Sequence, residues 1–529
     1  MTTRALRLAF CLAVVLFAVF HFAENTADPD LWGHVLFGQR MLSQSSLDRV
    51  EPFSWTASGH PWINHEVLAE IALGSAHFGL GGSGLLLLKL IVGLLTFWIA
   101  LSLGGRGLEW PARAVAWCVG LVAVVEISFG FAARPQIFTA LGLVCELWII
   151  RQIHAGRRTW ALALPILFAL WINTHGGVVA GFCVLASAVA GTTVQSVWAR
   201  MRRVPTSPVI PDAAVPWLWL GAGLSAGALW LNPWGGELPR WLVSSILWRR
   251  PAIEEWNPAP LGWDHGPLFI LVAVSVLALL TTKRSRALWE IAVLVLLGFA
   301  ALRYVRNSPL FAVAALALVP PYLVDLVRHA GGSMSGTSAL LSRPASRWIA
   351  SGCLLLLSGL MLRATFTLHK VNGLTMEVPA RQYPVAAVRF MQDNGLSGNM
   401  LVYFDWGEMC LWELPDCPPS IDGRLDTCYS RDVISANWRL YNGEEVDPRA
   451  LNIAEAELAL LPRRLAGVKM LVQELGWRAV YADPLAVVLV RSLDRFPRLR
   501  GLSLPVIRGD DAVMGREPFP DQPAPCIRL

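Results

Sequence analysis

The segment ENTADPDLWGH, residues 24–34, sets Asp28 and Asp30 two positions apart and places His34 just beyond them, directly after an apolar run. A carboxylate held there is suited to accept a proton from a hydroxyl group, and Glu66 in the triplet NHE (64–66) offers a third candidate. A second set can carry positive charge or donate hydrogen bonds: His34, His65, Arg134 in FAARPQIF, His175 in WINTHGG, and Arg303 and Arg306 in RYVRNSP. Such groups take up negative charge developing on a departing phosphate. Ionisable side chains at the ends of apolar runs are expensive unless they meet water or a partner, so their collection on one side is a functional-site signal. Plainer roles compete. Asp28 is placed to cap a helix starting near Asp30, with Pro29 at its first position, and Arg134 and Arg303 are placed to snorkel to a membrane interface.

His34, His65 and Glu66 also invite a metal reading. NHEVLAE lacks the second histidine of the HExxH motif, and no closed zinc signature occurs in the chain. Oxygen ligands from Asp28 or Asp30, together with a phosphate, suit magnesium or manganese. The residues leave both answers open, no cofactor or a divalent cation.

The elements that must position these groups follow from hydropathy. Of the 529 residues 55% are hydrophobic and 16% charged, with a mean hydropathy of +0.49, the composition of an integral membrane protein. Eleven apolar runs stand out, at 7–22, 82–103, 112–130, 136–151, 159–174, 177–198, 214–231, 267–281, 287–303, 308–326 and 348–364. Several fall short of the ~20 residues an upright helix needs, so their ends must extend into flanking polar residues. The arginine-rich connectors GGRGLEWPAR, RQIHAGRR, ARMRRVP and TTKRSR follow alternate runs, which sets the amino terminus and those loops inside. The stretch 62–82 is apolar but contains His65, Glu66, Glu70 and His77. It reads as a helix on the outer surface, because a further crossing there would invert every later loop. Residues 1–22 read as a retained first helix, since no small-x-small cleavage site closes the run.

The predicted architecture is an all-α polytopic membrane bundle of about 11 transmembrane helices over residues 1–365, with a long outer loop at 23–81, followed by a periplasmic α/β domain at 366–529. A second outer connection carries Trp234, Glu254 and Glu255, which either shape an acceptor pocket or serve as an interfacial anchor and surface charge. In the tail, FDWGEMCLW and IDGRLDTCYSRD are the unusual stretches. Their Asp405, Asp422, Arg424 and Asp426 suit either a recognition surface or turns at strand ends. Cys410, Cys417, Cys428 and Cys526 fall in this tail, where an oxidising compartment permits one or two disulfides, with Cys410–Cys417 or Cys417–Cys428 as the first expectation. The net charge of +6 is spread over short inner loops, and no glycine-rich phosphate loop occurs, so nucleic acid is not an expected partner.

The segments ADPDLWGHVLFGQRML and GHPWINHEVLAEIALGSAHFGLGGSGLLLLKLIVGL resemble the GT-C superfamily of membrane glycosyltransferases, which carry an acidic residue just after the first transmembrane helix in a long outer loop. The likeness covers roughly residues 5–200 by pattern and the rest by layout; the compact Asp-Pro-Asp and the NHE triplet depart from the usual arrangement. It implies an inverting glycosyltransferase of the bacterial inner membrane. The implied donor is a polyprenyl-phosphate-linked sugar and the acceptor an envelope glycan, lipid or protein, with membrane lipids around both. Asp30, Asp28 or Glu66 would act on the acceptor. A transporter or flippase of lipid-linked glycans competes, as does a scaffold whose tail binds a partner. A carrier is expected to hold charges near the membrane midplane, whereas this chain collects its polar groups at the outer ends of its spans.

Overall fold

The computed structural model describes residues 2–110, 112–202, 212–248, 253–262, 264–329, 344–368 and 374–524, and Cys526 lies outside them. The chain divides into two compact units, Met1–Glu24 with Leu87–Asn372, and Asn25–Leu86 with Gly373–Leu529.

The first unit is built from helices. All eleven apolar runs fall on helical segments. Five helices, Arg4–Phe22, Val67–Gly104, Gln136–His154, Val178–Arg202 and Ser346–Thr367, are long and apolar enough to cross a membrane, while Arg158–Ile172, Gly266–Thr281 and Val305–Leu318 are apolar but shorter. Backbone groups in lipid must be paired within their own segment, which is why apolar runs of this length become helices. Large side chains such as Leu280, Phe299 and Leu356 point outward, a placement that suits lipid rather than water. Charged groups inside the unit find partners: Lys89 meets Glu24 at 3.5 Å, and Arg151 donates to Glu290 at 3.1 Å and to the Leu103 carbonyl at 2.8 Å. Glu146, midway along Gln136–His154, is fully buried and, among the described residues, neither of its carboxylate oxygens has a hydrogen-bond partner.

The second unit joins segment 25–86 to the carboxy-terminal residues. Strands β1 (Glu377–Pro379) and β7 (Arg516–Pro518) form an antiparallel pair. Strands β2 (Met400–Val402), β3 (Leu458–Pro462), β4 (Arg478–Ala482), β5 (Ala486–Val490) and β6 (Val506–Ile507) form a sheet in the order β2-β3-β5-β4-β6. The β2–β3 and β4–β6 pairs are parallel; β3–β5 and β5–β4 are antiparallel. β5 reads AVVLV and is buried along its whole length, as a central strand covered on both faces requires.

Segment 25–86 is sewn to this domain through its backbone. The Ala27 N–H donates to the Glu377 carbonyl at 2.7 Å and the Glu377 N–H returns to the Asn25 carbonyl at 2.8 Å. Thr56 donates to the Ser420 carbonyl at 2.7 Å, and Ser54 to that of Pro419 at 2.9 Å. The helix expected within 62–82 starts at Val67 and leaves helical geometry at Leu80 (φ −138°) and Gly81 (φ +58°). The positive φ at Gly81 is one that a residue without a Cβ adopts freely.

The expected disulfides are a correction. Cys410, Cys417 and Cys428 are all free and buried. Among the described residues none of the three is bonded to another sulfur; Cys417, for instance, donates to the Leu396 carbonyl at 3.2 Å. Burial pushes the Cys417 thiol up to about 12, so the thiolate needed for exchange is scarce.

Candidate active site

The helix Leu31–Gln44 explains the opening motif. Asp28 accepts the Asp30 N–H on its Oδ1 at 3.1 Å, and its carbonyl accepts the Leu31 N–H at 3.0 Å. Asp28 therefore shapes the turn into the helix. Asp30 is the N-cap, and its side chain caps no helical N–H. Leu31, Trp32, Val35, Leu36 and Phe37 are buried along the helix, with Trp32 against Tyr383 and Phe519 at ring separations of 4.8 and 5.1 Å. This packing fixes where Asp30 and His34 stand.

Gly33 and Gly423 open room for carboxylates. A side-chain carbon at Gly33 would fall 2.3 Å from Glu408 Oε2; without one, the Gly33 N–H donates to that oxygen at 3.1 Å. A carbon at Gly423 would fall 2.3 Å from Asp30 Oδ1 and 2.7 Å from Glu408 Oε1, so Asp30 and Glu408 flank one glycine of the IDGR loop. Burial raises the Glu408 carboxyl well above its ordinary 4.5, and the charges of Asp30 and Asp422 push it the same way against Arg424. A proton on Glu408 spares the unit a buried negative charge beside Asp30.

Because the folded-state value of Glu408 is raised, stability is fully present below about 4.5 and declines as pH climbs from there toward the folded-state value. Glu408→Gln, which cannot ionise, is expected to flatten that decline. Thermal unfolding midpoints from about pH 5 to about pH 8 check it; parallel curves for the two proteins would mean that Glu408 does not hold the proton.

One turn along the helix, His34 Nδ1 lies 3.5 Å from Glu70 Oε1 and 3.9 Å from Glu66 Oε2, and His65 Nε2 lies 3.5 Å from Glu66 Oε1. Burial of His34 disfavours its charged form, but Glu70, Glu66 and Asp30 outweigh this and its pKa is raised. Asn64 donates to the second oxygen of Glu70 at 2.5 Å.

Behind the IDGR loop, Arg424 is held by Asp422 through Nε at 2.9 Å and Nη2 at 2.7 Å, and by Glu51 through Nη2 at 2.6 Å. Its guanidinium carbon sits 5.1 Å from the Phe37 ring centroid, 5.2 Å from that of Phe53 and 4.9 Å from that of Trp62. Tyr429 donates to Asp422 at 2.7 Å, and Glu51 also accepts the Phe53 and Ser54 N–H groups at 2.9 and 2.8 Å. Arg424 and Asp422 thus act as an internal clamp that sets the IDGR loop.

Asp28, Asp30, His34, His65 and Glu66 are all in this unit; Arg134, His175, Arg303, Arg306, Trp234, Glu254 and Glu255 belong to the helical unit. Arg134 precedes the helix Gln136–His154, whose Thr139 hydroxyl meets His175 Nδ1 at 2.8 Å; the Gly177 N–H donates to the same nitrogen at 3.0 Å. Arg303 ends its helix, with its guanidinium 4.6 Å from the Tyr304 ring centroid. Arg306 pairs with Glu255 at 3.4 Å and lies over Trp256 at 4.3 Å, so a predicted phosphate binder and a predicted acceptor-loop carboxylate meet each other. Glu254 is exposed, and Trp234 is buried within the unit.

The residues missed in the sequence are Glu70, Glu408, Glu51 and Asn64. Glu70 carries a spacing signal, four residues after Glu66, which puts the two on one face of a helical turn. Glu408 carries none, because its partner Gly33 is 375 positions away.

No family model matches the chain, and neither does any curated protein. Among solved structures it is similar to ArnT from Cupriavidus metallidurans bound to undecaprenyl phosphate, with a TM-score of 0.51 and 15% identity over 94% of this chain and 99% of that one. It is also similar to the apo oligosaccharyltransferase of Archaeoglobus fulgidus, with a TM-score of 0.55 and 13% identity over 93% of this chain and 74% of that one. At these identities the likeness concerns the fold alone: a mostly helical bundle with long apolar helices, joined to a carboxy-terminal β-rich domain.

Proposed function

We propose that this chain is an inverting membrane glycosyltransferase that moves a sugar from a polyprenyl-phosphate-linked donor to an envelope lipid, glycan or protein on the periplasmic face of a bacterial inner membrane. The observation that carries the reading is Asp30, set beside Gly423 and Glu408 at the start of a packed helix, in a chain of GT-C-like fold. In this reading the acceptor oxygen attacks the anomeric carbon and its proton passes to Asp30. The bond from the anomeric carbon to the phosphate oxygen breaks, and its electron pair leaves with the polyprenyl phosphate. The eleven helical runs are proposed to be crossings, with the carboxy-terminal domain and segment 25–86 outside. Arg134, His175 and Arg303 are the proposed phosphate binders of the helical unit.

Purified protein is expected to release polyprenyl phosphate from a synthetic lipid-linked sugar in the presence of acceptor, and to leave nucleotide sugars untouched. Turnover of nucleotide sugars alone would sink the reading. A carrier of lipid-linked glycans is the second reading, favoured by the buried carboxylate of Glu146, whose oxygens lack hydrogen-bond partners among the described residues. In the same assay with proteoliposomes, a carrier would move the lipid-linked sugar across the bilayer without cleaving it.

A further inference from the structure

We infer that His34, Glu66 and Glu70 form a binding site for one divalent cation of the manganese type, a proposal that rests on the transferase reading only for what the ion would do, not for whether it binds. One ligand atom from each of the three residues lies within 4.8 Å of the other two. The separations decide between a hydrogen bond and a shared ion. His34 Nδ1 stands 3.5 Å from Glu70 Oε1 and 3.9 Å from Glu66 Oε2, ion-pair distances longer than the roughly 2.7–2.9 Å of a fully closed charged hydrogen bond. Adjacent ligands each about 2.1 Å from one octahedral cation lie roughly 3.0 Å apart, and farther as the angle between them opens, so His34 and Glu70 at 3.5 Å are spaced to share an ion.

A second observation points the same way. His34 is 7% exposed, and its Nδ1, the atom facing both carboxylates, closes no hydrogen bond among the described residues beyond those longer ion-pair contacts. A buried nitrogen left without a donor or acceptor needs an explanation, and a bound cation supplies one. Glu70 is fixed for the task by Asn64, which donates to Oε2 and leaves Oε1 toward His34. Metal-ligating carboxylates are commonly steadied by such a hydrogen bond. One imidazole with two carboxylates is an oxygen-rich set, which suits manganese among the first-row divalent ions and leaves coordination positions for water or a phosphate oxygen. His34 is four residues after Asp30, one helical turn along Leu31–Gln44, so an ion here lies close to the proposed base.

The test is Mn2+ binding to chelator-treated, detergent-purified full-length protein, read by electron paramagnetic resonance without any sugar present. One equivalent is expected to bind, and Glu66→Gln and His34→Asn are each expected to weaken binding 10-fold or more, with circular dichroism confirming that the variants remain folded. Asp30→Asn is expected to retain the ion. No stoichiometric binding to the native protein overturns the proposal, and so does binding that survives Glu66→Gln but is lost in Asp30→Asn, which would move the ion to Asp28 and Asp30. Stoichiometric binding without any sugar transfer supports the site and counts against the transferase reading; transfer by protein shown to bind no ion does the reverse.

Discussion

Replacing Asp30 with asparagine is expected to lower sugar-transfer turnover about 10²- to 10⁴-fold while the protein still inserts and folds, because the change keeps shape but removes the oxygen charge proposed to accept the acceptor proton. The structure makes this a clean test. Asp30 is the N-cap of Leu31–Gln44 but its side chain caps no helical N–H, so the helix does not depend on the carboxylate. The helix is held instead by Trp32, Leu36 and Phe37, which are buried and which the substitution leaves alone. Asp28→Asn should be much milder, since an asparagine oxygen can still accept the Asp30 N–H that shapes the turn. Donor binding measured separately keeps a turnover loss distinct from weak binding. Normal turnover in Asp30→Asn removes it as the base, and a loss confined to Glu66→Gln moves the role to the NHE triplet.

Arg424→Ala is expected to destabilise the unit containing it by roughly 3–5 kcal/mol, because removing one partner of a buried ion pair strands the others. Asp422 and Glu51, 0% and 1% exposed, would each lose the guanidinium that balances them, and three aromatic rings would lose the cation packed against them. Lysine is a poor substitute, since an ammonium cannot reproduce the two-pronged contact with Asp422 through Nε and Nη2. Limited proteolysis of detergent-solubilised protein checks this: cleavage is expected in both 25–86 and the carboxy-terminal residues, because Arg424 joins Glu51 of one to Asp422 of the other. A thermal midpoint and cleavage pattern like the native protein's would show that the clamp contributes little.

Much of the fold is legible in the chain because hydropathy is local. A run such as LLLLKLIVGLLTFWIALSL (85–103) must become a helix in lipid whatever surrounds it, since its backbone has no other partner there. The Asp-Pro-Asp turn is equally local: Asp28 lies two residues from the N–H that it accepts. The tail's strands follow from β-branched runs such as AVVLV, but their order does not, because β3 pairs with β5 ahead of β4 and only packing chooses that neighbour.

The candidate site divides the same way. Asp30, His34 and Glu66 are visible in the sequence as polar groups following an apolar run, and their residue types announce proton and charge chemistry. Their surroundings were decided by tertiary structure alone. Glu408 reaches the Gly33 N–H across 375 residues and Arg424 reaches Glu51 across 373, distances over which composition and periodicity carry no information. The cysteines show the limit from the other direction: an even count in the carboxy-terminal residues points to bridges, yet packing seats Cys410, Cys417 and Cys428 as separate buried thiols. The chain alone determined which segments are helical and which residues have chemistry to offer. The folded structure decided which carboxyl groups share a glycine, because a pKa and a contact belong to a place in space rather than to a position in the chain.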